Sequence, residues 1–529
     1  MARKKLPKVY YAYMDLKTSE IEVKEQKRDE KVVVTFPSLD DFCGSNGDKI
    51  IFINNLNILI KFLSGGEVGK LHRPSKLDSS VSEPTLYHYK NATFKSFSLM
   101  KPENMKAKEL KYLFNTDYIT DAMEKYVDMC GGPVGRNCIS PTIAAQTKKM
   151  FYAPIEKEVR RDRNACQRYF NTKDMYYLCY SGCKSGYIKD VKNIELYDDC
   201  QSFDISSAYS SVMVNDDKFP VGRVKIAYDV DFIEELYKSG EWVKIIADGK
   251  VNGYSMYYDE KVDMTALEYY DIKTEMTFHG NNPFNINAKC YLYCDRTDYL
   301  NDSFRNRVVE VYDEKSSLSK SDPKRMFVKQ ELEAIYGKGI QWNSFNEDDE
   351  VIAHYKKGCH YIQPHMANHC SAAIRYQIAR VVYELDEGSV YWDTDGVKVK
   401  SSDFIAEYFD RLNDEIIEKN AIAGYPDCGI GTWHHEANCK KICLIRPKIY
   451  AYIDELGLEM KFAGMDEDCK NICLMKTAKR CKDIFDSWKK DGFLFIKKIL
   501  TIEETDELDE FDGSKKRVIK ESYLTTILK

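Results

Sequence analysis

The feature that most limits how this chain can fold is an acidic turn between two apolar strands, SVYWDTDGVKV at residues 389–399. Apolar side chains alternate with others on both sides of the turn, which predicts a β-hairpin. The turn carries Asp393 and Asp395, whose carboxylates repel each other unless a cation lies between them. A solvated turn is the alternative interpretation, because Asp and Gly are common turn residues. A further carboxylate from another segment would favour a metal site.

Residues 202–213, SFDISSAYSSVM, supply such a carboxylate. A short apolar strand is predicted to end at Asp204, and a helix is predicted to begin near Ser206 and Ser207. An aspartate at the end of a strand, facing the acidic hairpin, would complete a site for two Mg²⁺ ions, because this hard cation prefers carboxylate oxygens.

A third segment, KQELEAIYGKGI at residues 329–340, has helical periodicity. The spacing places Lys329, Glu333 and Tyr336 on one face of the helix. The lysine can hold phosphates, the tyrosine can pack against a base, and Arg325, one turn earlier, adds a second cation. An amphipathic surface helix is the alternative interpretation.

In this order, the three segments resemble the polymerase motifs of the family B DNA polymerases, specifically the protein-primed group of phages and linear plasmids. Residues 204–210 resemble Asp-x-x-Ser-Leu-Tyr-Pro, residues 329–337 resemble Lys-x-x-x-Asn-x-x-Tyr-Gly, and residues 391–396 resemble Tyr-x-Asp-Thr-Asp-Ser. YSGC at 180–183 is similar to the template-binding element of the family, and KIY at 448–450 to its primer-binding Lys-x-Tyr element.

The resemblance implies a catalytic centre in which Asp204, Asp393 and Asp395 bind two Mg²⁺ ions, or Mn²⁺ in their place. Ile205 would contribute a carbonyl oxygen to the metals. The other implied contacts are to the incoming dNTP, from Tyr209, Arg325, Lys329 and Tyr336, and to template and primer DNA, from Tyr180, Gly182, Lys448 and Tyr450. A terminal protein that primes synthesis is a further implied partner.

Several residues depart from the family pattern without removing a metal ligand. Ala208, Ser210 and Gly396 stand where the family has Leu, Pro and Ser, and Glu333 replaces a neutral amide beside the incoming nucleotide. These changes leave two alternatives open beside a templated DNA polymerase. One is a template-independent or specialised DNA synthase on the same fold, and the other is a non-catalytic nucleic-acid-binding protein.

The first 140 residues alternate strands and helices and resemble the proofreading exonuclease of the family in an eroded form. A lysine, Lys17, stands where the first motif has a metal-binding glutamate, and Leu59 stands where the second has an aspartate. The third motif falls on Leu113 and Asp117, with Tyr112 displaced by one place. Two-metal hydrolysis is expected to fail without these carboxylates, so we expect a domain that does not edit.

At 529 residues the chain is too long for a single core. The predicted fold class is α+β and multidomain, a right-hand polymerase of palm, fingers and thumb behind an N-terminal RNase H-like α/β domain. The predicted domains are an exonuclease-like domain (1–140), a template-binding segment with the first part of the palm (141–222), a protein-priming insertion (223–302), fingers (303–345), palm (346–475) and thumb (476–529).

The net charge of −6 argues mildly against a nucleic-acid ligand for the chain as a whole. Locally, residues 148–192 and 440–480 combine basic and aromatic side chains, a pattern suited to single-stranded nucleic acid; a mixed solvated face is the alternative. The 17 scattered cysteines indicate a reducing compartment, the cytoplasm of the cell or viral host. No apolar run is long enough to span a membrane, and the charged residues 501–513 are predicted to form a solvated face or loop.

Overall fold

The computed structural model describes residues 8–14, 21–27, 31–34, 36–45, 47–54, 56, 59, 86–96, 116, 118–129, 151, 155, 193–259, 263–320, 322–338, 342–347, 350–355, 364–465, 467–478, 483–508 and 515–528. Every helix in these ranges is too short or too polar to cross a membrane.

The N-terminal region forms a mixed six-stranded sheet. Its elements are β1 (Lys8–Met14), β2 (Ile21–Glu25), β3 (Lys31–Val34), α1 (Phe36–Gly44), β4 (Lys49–Ile53), β5 (Leu86–Tyr89), β6 (Ala92–Ser96) and α2 (Ile119–Met129). The strand order is β3-β2-β1-β4-β6-β5, with β1, β4 and β6 parallel. Parallel strands are buried on both faces, which explains the nearly continuous apolar runs of β1 and β4. The predicted strands at 8–16, 31–36 and 49–55 are confirmed within the described residues.

A second, antiparallel sheet follows residues 202–213. The elements of this region are β7 (Glu195–Ile205), α3 (Ala208–Asn215), β8 (Phe219–Pro220), β9 (Val224–Ala227), α4 (Val230–Lys238), β10 (Val243–Asp248), β11 (Tyr258–Asp259), β12 (Met264–Glu268), α5 (Tyr269–Thr274), β13 (Cys290–Cys294) and β14 (Thr297–Asp298). The order β11-β12-β10-β13-β9 makes the sheet, and β8 pairs separately with β14.

Two long helices come next, as the periodicity predicted. They are α6 (Asp302–Ser317) and α7 (Pro323–Lys338), which pack against each other and against α3. A hairpin of β15 (Trp342–Glu347) and β16 (Glu350–Tyr355) follows them.

The central sheet positions the candidate site. The elements that complete it are α8 (Pro364–Leu385), β17 (Ser389–Asp393), β18 (Gly396–Lys400), α9 (Ile405–Ile422), β19 (Trp433–Arg446), β20 (Ile449–Ile453) and β21 (Leu458–Phe462). The order β17-β18-β7-β19-β20-β21 is antiparallel throughout and places β7 between the acidic hairpin and β19. Helices α3, α8 and α9 contribute to the large core of this region, and the helix predicted at 365–385 is confirmed.

The chain ends with α10 (Glu467–Ala478), α11 (Ile484–Asp491), β22 (Phe493–Leu508) and β23 (Lys515–Leu528). For residues 501–513, a solvated face or a loop was predicted; the loop is wrong for residues 501–508, which lie within β22, and the solvated face stays a prediction. Residues 501–504 and 508 pair with β23, and this pairing, which the local charge run does not reveal, favours the strand.

Candidate active site

Asp204 lies near the end of the central strand β7. Its chain neighbours Phe203 and Ile205 are buried, while Asp204 itself is half-buried. Successive side chains of a strand point to opposite faces, so the apolar pair and the carboxylate face different sides. In the register of the sheet, Asp204 is opposite Gly396 on β18 and opposite His434 on β19. The groups that can act with Asp204 therefore come from both neighbouring strands.

The acidic turn reaches the same place from the hairpin of β17 and β18. Thr394, at its tip, has a positive φ of 60°. The backbone N–H of Ile205 donates a hydrogen bond to the carbonyl oxygen of Asp395 at 2.9 Å, which joins the turn to the end of β7. The structure thus brings Asp204, Asp393 and Asp395 into the wall of one cleft of about 250 Å³.

Burial and the repulsion between neighbouring negative charges raise the pKa values of two of these carboxylates. The pKa of Asp204 is raised to about 8, first by burial and then by the charges of Asp395 and Glu436. The pKa of Asp395 is raised to about 6, again chiefly by burial, with a contribution from Asp393. A divalent cation relieves repulsion of this kind, and oxygen donors are those that Mg²⁺ prefers. The donor set therefore fits the Mg²⁺ ions that the motifs imply.

Glu436 also lines this cleft, and none of the sequence motifs predicted a role for it. It lies in β19 at a β-bulge between His435 and Ala437 and accepts a hydrogen bond from the Ser202 hydroxyl at 3.1 Å. The buried ammonium of Lys398 donates to the same hydroxyl at 2.8 Å, and burial lowers the pKa of Lys398. The position of Glu436 could not be predicted from the sequence, because the bulge depends on how β19 pairs with β7.

Three side chains from β7 and β19 are close enough to share one metal ion. One ligand atom each from Asp204, His434 and Glu436 lies within 4.8 Å of the others. His434 was likewise not predicted, because its position opposite Asp204 depends on the pairing of β19 with β7.

A group of cations from α6 and α7 approaches the carboxylates. Lys329 is more than half exposed, and its ammonium lies 3.6 Å from the Glu333 carboxylate. The ammonium of Lys315, on α6, donates to the Ser207 hydroxyl at 2.7 Å. Its pKa is lowered to about 8 by burial and by the positive charges of Arg325 and Lys329. Lys315 was not predicted, because only the packing of α6 beside α7 brings it to this group.

The two predicted nucleotide-binding tyrosines contact each other. The rings of Tyr209 and Tyr336 stack with centroids 4.3 Å apart and planes 16° from parallel. The Tyr336 hydroxyl is 2.8 Å from the Ser371 hydroxyl on α8, and the Ser210 hydroxyl donates to the carbonyl of Leu332 at 3.1 Å. Helices α3, α7 and α8 therefore hold this aromatic pair beside the acidic cleft.

The predicted primer-binding residues are at the cleft as well. The Lys448 ammonium contacts both carboxylate oxygens of Asp393, at 2.8 and 3.1 Å, and its backbone N–H donates to the Tyr391 hydroxyl at 3.0 Å. Tyr450 lines the cleft, with the Lys398 ammonium 5.0 Å from its ring centroid. One lysine thus offsets part of the negative charge of the hairpin.

The predicted template-binding residues and most of the residues aligned with exonuclease motifs lie outside the part of the chain that the structure describes. Tyr180, Gly182, Lys17, Tyr112, Leu113 and Asp117 lie outside the described residues. Leu59 is described, and it is fully buried in the apolar core of the N-terminal sheet. This buried apolar environment is that of a core side chain.

No protein-family model matches the sequence, and a search of curated proteins found no relative. Solved structures of phi29 DNA polymerase, in contrast, match nearly the whole chain. The complex with primer-template DNA and incoming nucleotide substrates is 13% identical, with a TM-score of 0.63 over 99% of this chain and 100% of that chain. The complex with primer-template DNA is 14% identical, with a TM-score of 0.62 over 98% and 100%. The complex with single-stranded DNA is 13% identical, with a TM-score of 0.56 over 89% and 95%.

At this level of identity the similarity establishes the fold. The mixed α+β, multidomain architecture predicted from the motifs is confirmed. The chain has the fold of phi29 DNA polymerase.

Proposed function

We propose that this chain is a DNA-directed DNA polymerase that adds dNTPs to the 3′-hydroxyl of a primer. The observation that carries the proposal is the meeting of Asp204 with the Asp393–Asp395 turn in one cleft, in a chain with a DNA polymerase fold. The phi29 enzyme with this fold was solved with primer-template DNA and incoming nucleotides. A silent binding protein would have no need to keep three mutually repelling carboxylates together.

Two Mg²⁺ ions, or Mn²⁺, would be held by Asp204 and Asp395, with Asp393 and the carbonyl of Ile205 completing the set. When bound, such ions activate the attacking oxygen and stabilise the leaving oxygen of an in-line displacement. The cations Lys315, Arg325 and Lys329 would hold the triphosphate beside them.

The stacked rings of Tyr209 and Tyr336 offer an apolar wall for the sugar and base of the incoming nucleotide. Lys448 and Tyr450 lie at the other side of the acidic turn, where a primer terminus would approach. In this arrangement Lys448, whose ammonium contacts Asp393 in the structure, would hold a primer phosphate, and Asp393 would help to hold a metal ion.

The N-terminal domain is proposed to lack 3′–5′ editing, a proposal supported by Leu59 in the apolar core and by Lys17 in the sequence. Initiation from a hydroxyl of a terminal protein is proposed from the resemblance to the protein-primed group. The proposed place of action is the cytoplasm, in keeping with the scattered cysteines of the sequence.

The test is primer extension by the wild-type chain and by Asp395→Asn, with Asp198→Asn as the matched control on the exposed part of β7. Metal ions supply several kcal/mol to such a reaction, so Asp395→Asn is expected to slow extension by about a thousandfold at about 1.4 kcal/mol per tenfold. Asp198→Asn should leave the rate unchanged. Unchanged extension by Asp395→Asn would show that the site is elsewhere. In the same assay, digestion of a 3′-labelled single strand would contradict the loss of editing.

A template-independent synthase is the second candidate, because Glu333 places a negative charge 3.6 Å from Lys329 at the proposed triphosphate site. Omitting the template separates the two functions. Tailing of a single-stranded primer at a rate similar to templated extension would favour the synthase, whereas strict dependence on template favours the polymerase.

A further inference from the structure

The inference concerns His434, a side chain of β19 that faces the proposed catalytic carboxylates. The register of the sheet places His434 directly opposite Asp204. Residues opposite each other in an antiparallel pair have side chains on the same face. Glu436, two residues further along β19, lies on that face too and reaches the Ser202 hydroxyl. The imidazole therefore lies close to two carboxylates, one from β7 and one from β19.

The distances within this group suit metal coordination. One ligand atom each from Asp204, His434 and Glu436 lies within 4.8 Å of the others. Ligand bonds to a divalent transition metal are about 2.0–2.2 Å long, so small side-chain rotations bring all three atoms to one ion. His434 is exposed and has room for such a rotation.

A nitrogen ligand changes which ion the site prefers. Mg²⁺ takes oxygen ligands almost entirely, whereas imidazole adds affinity for transition metals in the order Mn²⁺ < Co²⁺ < Ni²⁺. A set of two carboxylates and one imidazole is thus a mixed site, unlike the all-oxygen set formed by Asp204 with the Asp393–Asp395 turn.

We propose that His434 is a metal ligand that, with Asp204 and Glu436, gives this cleft a preference for a divalent transition metal over Mg²⁺. The proposal rests on the proposed function, because Asp204 belongs to both groups. It assigns His434 the role of selecting the metal with which the enzyme works.

The adjacent residue provides a matched control. His435 lies on the opposite face of β19, where its ring packs edge-on against Phe203 with centroids 5.3 Å apart. Its imidazole Nε2 is 3.0 Å from the Asn438 side-chain oxygen. His435→Ala removes one imidazole, as His434→Ala does, but it leaves the face of β19 that carries the proposed metal ligands unchanged.

The experiment measures Co²⁺ binding to the full chain without DNA or nucleotide, by calorimetry and by the visible absorption of the bound ion. Mg²⁺ affinity is measured by competition in the same samples. Even a group that only contacts a metal ligand changes metal affinity by about tenfold to a hundredfold, so His434→Ala is expected to lower Co²⁺ affinity at least about tenfold. The Co²⁺ spectrum should change, Mg²⁺ affinity should fall far less, and His435→Ala should change neither.

Equal losses of Co²⁺ and Mg²⁺ affinity in His434→Ala, or an unchanged Co²⁺ spectrum, would overturn the inference. Thermal unfolding of both variants checks that they are folded. Primer extension in Mg²⁺ and, separately, in Mn²⁺ distinguishes this result from the outcome for the proposed function. A wild-type chain that extends primers while Co²⁺ binding is independent of His434 refutes the inference alone. A chain that binds Co²⁺ through His434 and never extends a primer refutes the polymerase alone.

Discussion

At the scale of single residues, the end of β7 packs closely against Gly396 of the acidic turn. A side-chain Cβ at Gly396 would lie 3.2 Å from a carboxylate oxygen of Asp204 and 3.3 Å from the carbonyl oxygen of Phe203. Both distances are shorter than ordinary van der Waals contact, so the carboxylate has to move by a few tenths of an ångström to admit a methyl group. The absence of a side chain at Gly396 therefore leaves room for the Asp204 carboxylate in its present position.

We predict that Gly396→Ala lowers kcat for primer extension by several-fold to about tenfold, because misplacement of a reacting group by about 1 Å costs about a hundredfold. Stability should change little, since the backbone there has no positive φ. The control is Gly388→Ala at the other end of the hairpin, where the nearest atom, Cβ of Leu385, is 3.7 Å from the added methyl. Equal effects of the two substitutions on kcat would contradict this explanation.

At the scale of elements, the face of α7 that carries the cations also carries an acid. Glu333 is one turn from Lys329, and both side chains are more than half exposed. An exposed pair of this kind contributes roughly 0.3–0.5 kcal/mol to the helix. The same carboxylate raises the pKa of Asp395, although burial is the larger cause. Glu333 thus competes with a triphosphate for Lys329 and adds negative charge to the metal site.

We predict that Glu333→Gln lowers KM for dNTPs several-fold, because the exposed lysine is then available to phosphate. Steady-state extension at varied dNTP concentration measures it. Glu310→Gln, which removes a carboxylate paired with Arg307 on α6, should leave KM unchanged. A higher KM in Glu333→Gln would mean that the acid assists nucleotide binding.

At the scale of the whole molecule, one buried histidine joins the second sheet to the central helices. His369 on α8 lies 3.1 Å from the carboxylate of Asp216, at the end of α3, and 2.8 Å from that of Glu268, at the end of β12. Asp216 also accepts a hydrogen bond from Tyr270 at 2.8 Å, and Lys419 is 3.9 Å away. Burial opposes the protonated imidazole, but the two carboxylates outweigh it and raise the pKa of His369 to about 9.

The stabilisation from this raised pKa is complete below the ordinary histidine pKa of about 6.5 and is lost as pH rises through about 9. At about 1.4 kcal/mol per pKa unit, the loss is on the order of 3 kcal/mol. We predict a fall in melting temperature between pH 6.5 and 9 that is much smaller in His369→Gln. His365, on the same helix, is the control, because burial lowers its pKa to about 3 and it stays neutral over this range. The same pH dependence in His369→Gln and in the wild type would exclude His369 as its source.

Strands and helices that show in the spacing of apolar and polar residues along the chain could be predicted from the sequence. The apolar alternation around residues 389–399 gave the hairpin and its acidic tip, and periodicity gave α7 and α8, because side-chain direction in a strand or helix is a local property. Asp204 followed from an apolar strand that ends in an aspartate. The motif order then predicted the polymerase fold, which the comparison with phi29 DNA polymerase confirms.

Contacts that depend on which strand lies beside which could not be predicted in this way. Only the order β18-β7-β19 places His434 opposite Asp204, and only the bulge in β19 turns Glu436 toward Ser202. Only the packing of α6 on α7 brings Lys315 close to Arg325 and Lys329. The Lys448–Asp393 ion pair and the Tyr209–Tyr336 stack likewise join residues that are far apart in the chain, and they could not be predicted from it. The sequence by itself determined the chemical groups and the local elements that carry them. The tertiary structure decided which groups meet, because strand register and helix packing depend on the burial of apolar surface by residues far apart in the chain.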